Sequence, residues 1–272
     1  MSPARCIATS SDHKYFPALI ALLASLKKTN PDIPVTVFDG GLTKSQVNKA
    51  GRYARIIKKQ PFMNLANKGK FGYIGNTTLL KFEAAELDCD TVLYLDVDMV
   101  VLERVDELFS FPPETVAVVN EVNALKNMFR PRHRGMLAEA IDIDWESPGF
   151  NAGLFVLRPQ EWRDIKSKAL KLVERFGEDV FSKTKDQQLL NIIFSGNTFR
   201  LSGKYNFSPL YDEGDHEPTI VHYLAESKPW HFDYPEGHRY EEFRRNVSVW
   251  DYPNILLTDI ARLVKRFTGW RA

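Results

Sequence analysis

Residues 91–102 read TVLYLDVDMVVL, an apolar run broken by two acids, Asp96 and Asp98. A near-continuous apolar stretch with polar flanks predicts a buried strand, and the acids mark where it emerges. In extended backbone, residues two apart face the same side, so the two carboxylates can converge on one cation. Left alone they repel, and a cation or hydrogen-bond donors must offset that. A hard divalent ion, Mg²⁺ or Mn²⁺, would do so, and such ions commonly bridge to substrate phosphates. Asp is also a frequent turn residue, so the dipeptide alone leaves a plain strand ending open.

Other residues able to do chemistry lie far away in the chain. Lys81 sits among Leu79, Leu80, Phe82 and Ala84 on a helix predicted over residues 77–87. It reads either as a snorkelling surface lysine or as a phosphate or sugar contact. Asn151 belongs to FNAG, a polar amide beside small residues at the head of an apolar strand. Asp186 and Gln187 open a helix expected over residues 185–194, where Asp186 serves equally well as an N-cap. His222 ends a strand in TIVHYLAESKPW, ahead of Lys228, Pro229 and Trp230, and is either structural or a ligand. Lys126, Arg130, Arg132, His133 and Arg134 crowd an irregular stretch between Glu121 and Pro148. That stretch reads as a lid or acceptor loop, or as a solvated basic face.

The elements that must position these groups alternate. ARCIAT (residues 4–9) is a strand, SSDHKYF a polar turn, and Leu19, Leu22, Leu23 and Leu26 follow the helical period after Pro17. PVTVFD (34–39) is a strand, Gly40 and Gly41 turn the chain, and Thr43 with Gln46 predicts a capping box. ARIIKK (54–59) is a third strand, followed by a Gly-rich aromatic loop with Phe62, Phe71 and Tyr73. VAVVN (116–120) is another strand. Pro159 opens a helix carrying Trp162, Ile165, Ala169, Leu172 and Phe176. This order predicts an α/β fold with a parallel sheet and right-handed crossovers.

Composition narrows the classes. With 272 residues and 44% hydrophobic content, the chain can bury a large core. Lys plus Arg total 36 against 35 acids, so no bulk field points to nucleic acid. Cys6 and Cys89 lie in apolar or strand-adjacent sequence, which suggests reduced core thiols and a cytoplasmic location. No apolar run is long enough for a signal peptide or a membrane span.

Taken in order, the SSDHKYF turn, Lys81 ahead of YLDVD, FNAG, DQ and HYLAESKPW resemble the retaining glycosyltransferases of family 8, the group of glycogenin and the bacterial lipopolysaccharide galactosyltransferases. The likeness covers roughly residues 4–232. It implies a GT-A fold of nucleotide-diphospho-sugar transferase type, with a mixed, mainly parallel Rossmann-like sheet flanked by helices in one domain over residues 1–250. It also implies a UDP-sugar donor, glucose or galactose, with Mn²⁺ (or Mg²⁺) as cofactor and a hydroxyl acceptor on a carbohydrate, lipid-linked or protein molecule. By position, Asp96, Asp98 and His222 match the metal ligands, and Lys228 adds a second positive charge at the diphosphate. Thr9, Asp12, Tyr15 and the Asp96–Val97 pair match nucleotide contacts, while Lys81, Asn151, Asp186 and Gln187 match the surroundings of the donor sugar. The family pattern His-x-x-Gly-x-x-Lys-Pro-Trp carries Ala225 at its glycine here. Since Gln187 is a poor nucleophile, front-face displacement is the favoured route to retention.

Two alternatives remain at this stage. A sugar-nucleotidyltransferase would normally carry a Gly-rich basic loop after the first strand, which SSDHKYF lacks. An inactive or regulatory nucleotide-sugar-binding protein would fit Ala225. Residues 251–272 are expected to form an amphipathic basic tail helix, with Leu256, Leu257, Ile260, Leu263, Val264 and Phe267 on one face. That face over 255–271 can lie on an anionic membrane or dock on the domain.

Overall fold

The computed structural model describes residues 4–65, 75–212, 217–224, 226–231, 234, 238–250 and 252–268. Phe71, Tyr73 and Ala225 lie outside these. The opening unit is β1 (Arg5–Ser11), α1 (Phe16–Thr29), β2 (Val35–Asp39), α2 (Lys44–Ala50) and β3 (Arg55–Lys58). Pro17 occupies the first turn of α1, where its missing N–H costs nothing. The capping box forms as expected: Thr43 Oγ1 accepts from Gln46 N, and Gln46 Oε1 accepts from Thr43 N.

A helix of 3₁₀ pitch (Asn76–Glu86), tighter than the α-helix expected there, leads to β4 (Thr91–Leu95) and the short β5 (Met99–Val101). Next come β6 (Val116–Ala124), α3 (Pro131–Ala138), β7 (Pro148–Leu157), α4 (Pro159–Trp162) and α5 (Ile165–Phe176). The single helix expected after Pro159 is therefore broken near Asp164. The remainder is α6 (Asp186–Ile193), β8 (Thr198–Leu201), β9 (Ile220–His222), α7 (Tyr240–Arg244) and α8 (Ile255–Thr268).

Seven strands form one sheet in the order β3-β2-β1-β4-β7-β6-β8. All pairs are parallel except β4–β7 and β6–β7. The sheet is thus mixed and mainly parallel, as expected. β5 and β9 make a separate antiparallel ribbon in which Met99 faces His222. This ribbon carries the segment after Asp98 to the segment ending in His222. β4 is buried throughout, which explains its unbroken apolar pattern.

The cysteines correct the sequence reading. Cys6 and Cys89, expected as reduced thiols, are joined as a disulfide with Cα atoms 6.4 Å apart. The register that sets Arg5 opposite Thr91 draws the two together, a proximity that 83 residues of separation conceals in sequence. Among the described residues, no helix is long and apolar enough to cross a membrane.

The capping box offers a stability test remote from the cavity described below. Thr43→Ala should lower unfolding stability by about 1 kcal/mol in urea titration, with nucleotide binding unchanged.

Candidate active site

Asp96 and Asp98 flank the tight turn between β4 and β5. The Asp96 amide donates to Gly153 O at 2.7 Å, fixing the turn against β7. His222 arrives on β9, and one ligand atom from each of Asp96, Asp98 and His222 lies within 4.8 Å of the other two. His222 Nδ1 is 2.8 Å from Asn206 Oδ1, so the tautomer that donates there leaves the Nε2 lone pair facing the acids. Nε2 stands 3.2 Å from Asp98 Oδ1. Two carboxylates and one imidazole so disposed are a donor set suited to a divalent transition ion.

Two lysines balance the acids from opposite sides. Lys81 is almost fully buried, with Nζ 2.6 Å from Asp186 Oδ2 and 3.2 Å from Asp96 Oδ1, and it donates to Ala152 O at 2.9 Å. Burial disfavours its charge, but Asp186 and Asp96 outweigh burial and hold its pKa above the usual lysine value. Lys81 is therefore a buried residue of the cavity wall and not a snorkelling surface lysine. Lys228 Nζ donates to Asp98 Oδ2 at 2.6 Å and to Tyr223 O at 2.7 Å. For Asp98, burial is overcome by Lys228 and His222, which pull its carboxyl far below the normal range. Asp96 moves the other way: burial raises it, Lys81 only partly compensates, and the neighbouring Asp98 charge raises it further.

These groups line one cavity of about 1140 Å³. Its floor includes Asp96, Val97, Asp98, His222 and Lys228, and its walls Asp12, Tyr15, Lys81, Asn151, Asp186 and Gln187. Asp12 caps the turn after β1 by accepting from Lys14 N and Tyr15 N, and Tyr15 packs edge-on against Trp230. Asp186 is not an N-cap. Lys185 holds that position with a positive φ of 42°, and the Asp186 carboxylate turns to Lys81.

Thr9 is fully buried and is not among the residues lining the cavity, whereas Ser10 and Ser11 are. Of the two readings of the basic cluster, the solvated face agrees with its surface ion pairs. Arg132 (2.5 Å), His133 (3.2 Å) and Arg130 (3.6 Å) gather on Asp179, and Lys126 pairs with Glu146. Among the described residues between Lys126 and Arg134, Asn127 and Met128 reach the cavity wall.

Three contributors escaped the sequence reading. Glu121 Oε2 accepts from Asn151 Nδ2 at 3.5 Å and Gln187 Nε2 at 3.4 Å, tying together the two amides of the wall. Asn206 orients His222. At Gly153, an added Cβ would lie 2.5 Å from His222 Cε1, 2.7 Å from Asn151 Oδ1 and 3.1 Å from Asp96 Oδ2. The NAG pattern hinted at such a close approach but not at what approaches.

Residues 6–233 match the profile of Glycosyl transferase family 8. The chain belongs to that family. This family 8 chain is 25% identical over 288 residues to the glycosyltransferase GlyE of Streptococcus pneumoniae, an alignment taking in 96% of this chain and 65% of that protein. It is 29% identical over 196 residues to a lipopolysaccharide 1,2-glucosyltransferase of Escherichia coli, covering 63% of this chain and 54% of that protein. It therefore spans less than two thirds of the length of these curated relatives. The solved galactosyltransferase LgtC, in complex with donor and acceptor sugar analogues, superposes with a TM-score of 0.71 at 23% identity, over 89% of this chain and 96% of that one. The GT-A architecture expected from the sequence is thus the observed fold.

Gly153→Ala should weaken metal-dependent nucleotide binding at least tenfold by calorimetry, because the added methyl would displace two members of the donor set at once. Lys81→Met removes the counter-charge of buried Asp186 and should cost roughly 3 kcal/mol of stability in denaturant unfolding.

Proposed function

We propose that this chain transfers a hexose, glucose or galactose, from a UDP-sugar to a hydroxyl acceptor with retention of configuration and in dependence on Mn²⁺. The observation that carries this reading is the convergence of Asp96, Asp98 and His222 at the floor of a large polar cavity, with Lys228 on the second oxygen of Asp98. The donor set fits the ion: an imidazole Nε2 oriented by Asn206 beside two carboxylates suits Mn²⁺ better than Mg²⁺. Bound there, a divalent cation would act as a Lewis acid toward the departing diphosphate.

The chain's own groups do the rest. Lys228, fixed by the Tyr223 carbonyl, sets a positive charge where the leaving group gains negative charge. Asp12 and Tyr15 receive the nucleoside end. Lys81 fixes Asp186 against the donor sugar, where the carboxylate offsets oxocarbenium-like charge. Asn151 and Gln187, linked through Glu121, orient the sugar's hydroxyls. The acceptor hydroxyl attacks on the face the diphosphate leaves, and a departing phosphate oxygen takes its proton. Asp186 is engaged by Lys81 at 2.6 Å, which disfavours it as a nucleophile and supports front-face displacement.

A sugar-nucleotidyltransferase finds no support, since the turn after β1 is closed by an Asp12 cap rather than a Gly-rich phosphate loop. The family likeness and the donor set together favour an enzyme over an inactive nucleotide-sugar-binding protein.

A panel of UDP-sugars incubated with the chain and Mn²⁺ should show slow hydrolysis of one UDP-hexose. Asp98→Ala should reduce it about a hundredfold or more and abolish metal-dependent UDP binding. Failure of the wild-type chain to bind UDP in Mn²⁺ would refute the reading, and binding without turnover of any sugar would assign the inactive role. Intact-mass spectra with donor alone should show no added hexose on Asp186; an adduct there would replace front-face displacement by a covalent route.

A further inference from the structure

Near Asp186 the cavity wall changes character. Around the acidic turn every charge is matched: Lys228 pairs with Asp98, and Lys81 with both Asp96 and Asp186. Lys183 and Thr184, which come just before Asp186 in the chain, line the same cavity without such matching. Lys183 Nζ donates to Asn127 O at 2.9 Å and pairs with no carboxylate among the described residues. Thr184 Oγ1 is buried, yet it has no hydrogen-bond partner among the described residues. A buried hydroxyl left unpaired costs free energy, and at a cavity wall a bound polar molecule is the partner that relieves it. Neither residue has a task in holding the nucleotide, the metal or the donor sugar.

The solvated basic segment borders this wall. Lys183 reaches Asn127, and Gln188 Nε2 donates to Met128 O at 3.1 Å and to Val180 O at 2.9 Å, so residues 127 and 128 are fastened to the turn that leads into α6. Just beyond them, Arg130 and Arg132 share one carboxylate, Asp179, and their side chains remain 54% and 65% exposed. Lys126 pairs with Glu146. Among the described residues, these ion pairs and Lys183 set four cations against two carboxylates. His133 adds no charge: its Nε2 accepts from Arg132 Nε at 3.0 Å, and burial with Arg132 and Arg130 holds its pKa below the usual histidine value. Exposed ion pairs are weak, so two guanidiniums on one shared carboxylate can still take up a second anion. The acids deeper in the cavity are already engaged, Asp186 by Lys81 and Glu121 by Asn151 and Gln187. They would repel an anion there, which places it at the rim.

We propose that the rim formed by Lys183, Thr184, Arg130 and Arg132 binds an anionic saccharide, one that bears a phosphate or a carboxylate. Thr184 Oγ1 and Lys183 Nζ meet the sugar at the cavity wall, and the guanidiniums meet its anionic substituent outside. That this saccharide is the acceptor rests on the transferase reading; its binding at the rim does not.

The test is calorimetric titration of the full chain, with and without UDP and Mn²⁺, using mannopentaose, mannopentaose 6-phosphate and tetragalacturonate as probes. UDP and Mn²⁺ occupy the acidic turn and keep the probe's phosphate away from it. At least one charged probe should bind about tenfold or more tightly than the neutral one, and the advantage should shrink as salt is raised. A preference confined to the phosphorylated probe assigns a phosphate substituent, and one confined to the uronate a carboxylate. Lys183→Gln with Arg130→Gln should erase most of the advantage, whereas Lys183→Arg should retain it. Urea midpoints of the variants separate lost recognition from lost folding, and Arg130→Gln alone, which leaves the Arg132–Asp179 pair intact, serves if the double variant is unstable. Equal binding of neutral and charged probes, no binding of any probe, or an undiminished preference in the folded variants would each overturn the proposal. Binding of a charged probe by a chain that does not bind UDP would leave the rim assignment intact while the transferase reading failed.

Discussion

The site depends on one buried ammonium. Lys81 comes from a 3₁₀ helix packed against the sheet, yet its Nζ reaches Asp96 at the end of β4, Asp186 at the start of α6 and the Ala152 carbonyl in β7. Three segments distant in sequence share a single charge. Without it, Asp96 and Asp186 would be partly buried acids with little to offset them, and a lone buried carboxylate is costly. The arrangement leaves Asp96 and Asp98 electrostatically unequal: Lys228 and His222 hold Asp98 ionised, whereas burial and the adjacent negative charge press Asp96 toward its neutral form. A divalent ion between them would offset both charges, and the convergence of Asp96, Asp98 and His222 is the physical reason to read the turn as a metal site.

Much of this was legible in the sequence, for identifiable reasons. The apolar run before Asp96 has a signature that burial on both faces imposes, and β4 is buried along its whole length. The Thr43–Gln46 pair is local chemistry that needs no tertiary context. Asp96, Asp98, His222 and Lys228 could be grouped because they fall in known order, although nothing in their spacing shows that they touch.

What failed was set by pairing and packing. The polar run after the first strand has no visible phase, so sequence alone does not show that Ser10 and Ser11 line the cavity while Thr9 is buried behind them. Cys6 and Cys89 meet through the register of β1 on β4. Glu121 resembled an ordinary surface acid; its place between two amides follows from the pairing of β6 with β7 and the docking of α6. In α8, the inward turn of Ile255, Thr258 and Arg262 among the described side chains depends on Tyr240, Trp230 and His231 presenting a ring and two carbonyls to them.

The β5–β9 ribbon has a consequence for how the protein comes into being. Asp98 precedes its lysine partner by 130 residues, and both His222 and Lys228 follow the last strand of the main sheet. During synthesis the central strands emerge and can begin to pair while the acidic turn still lacks its imidazole and one of its two cations. The nascent chain must carry this electrostatic debt until β9 closes on β5. The acidic turn can thus be completed only after the last residues of β9 and the segment carrying Lys228 have been made.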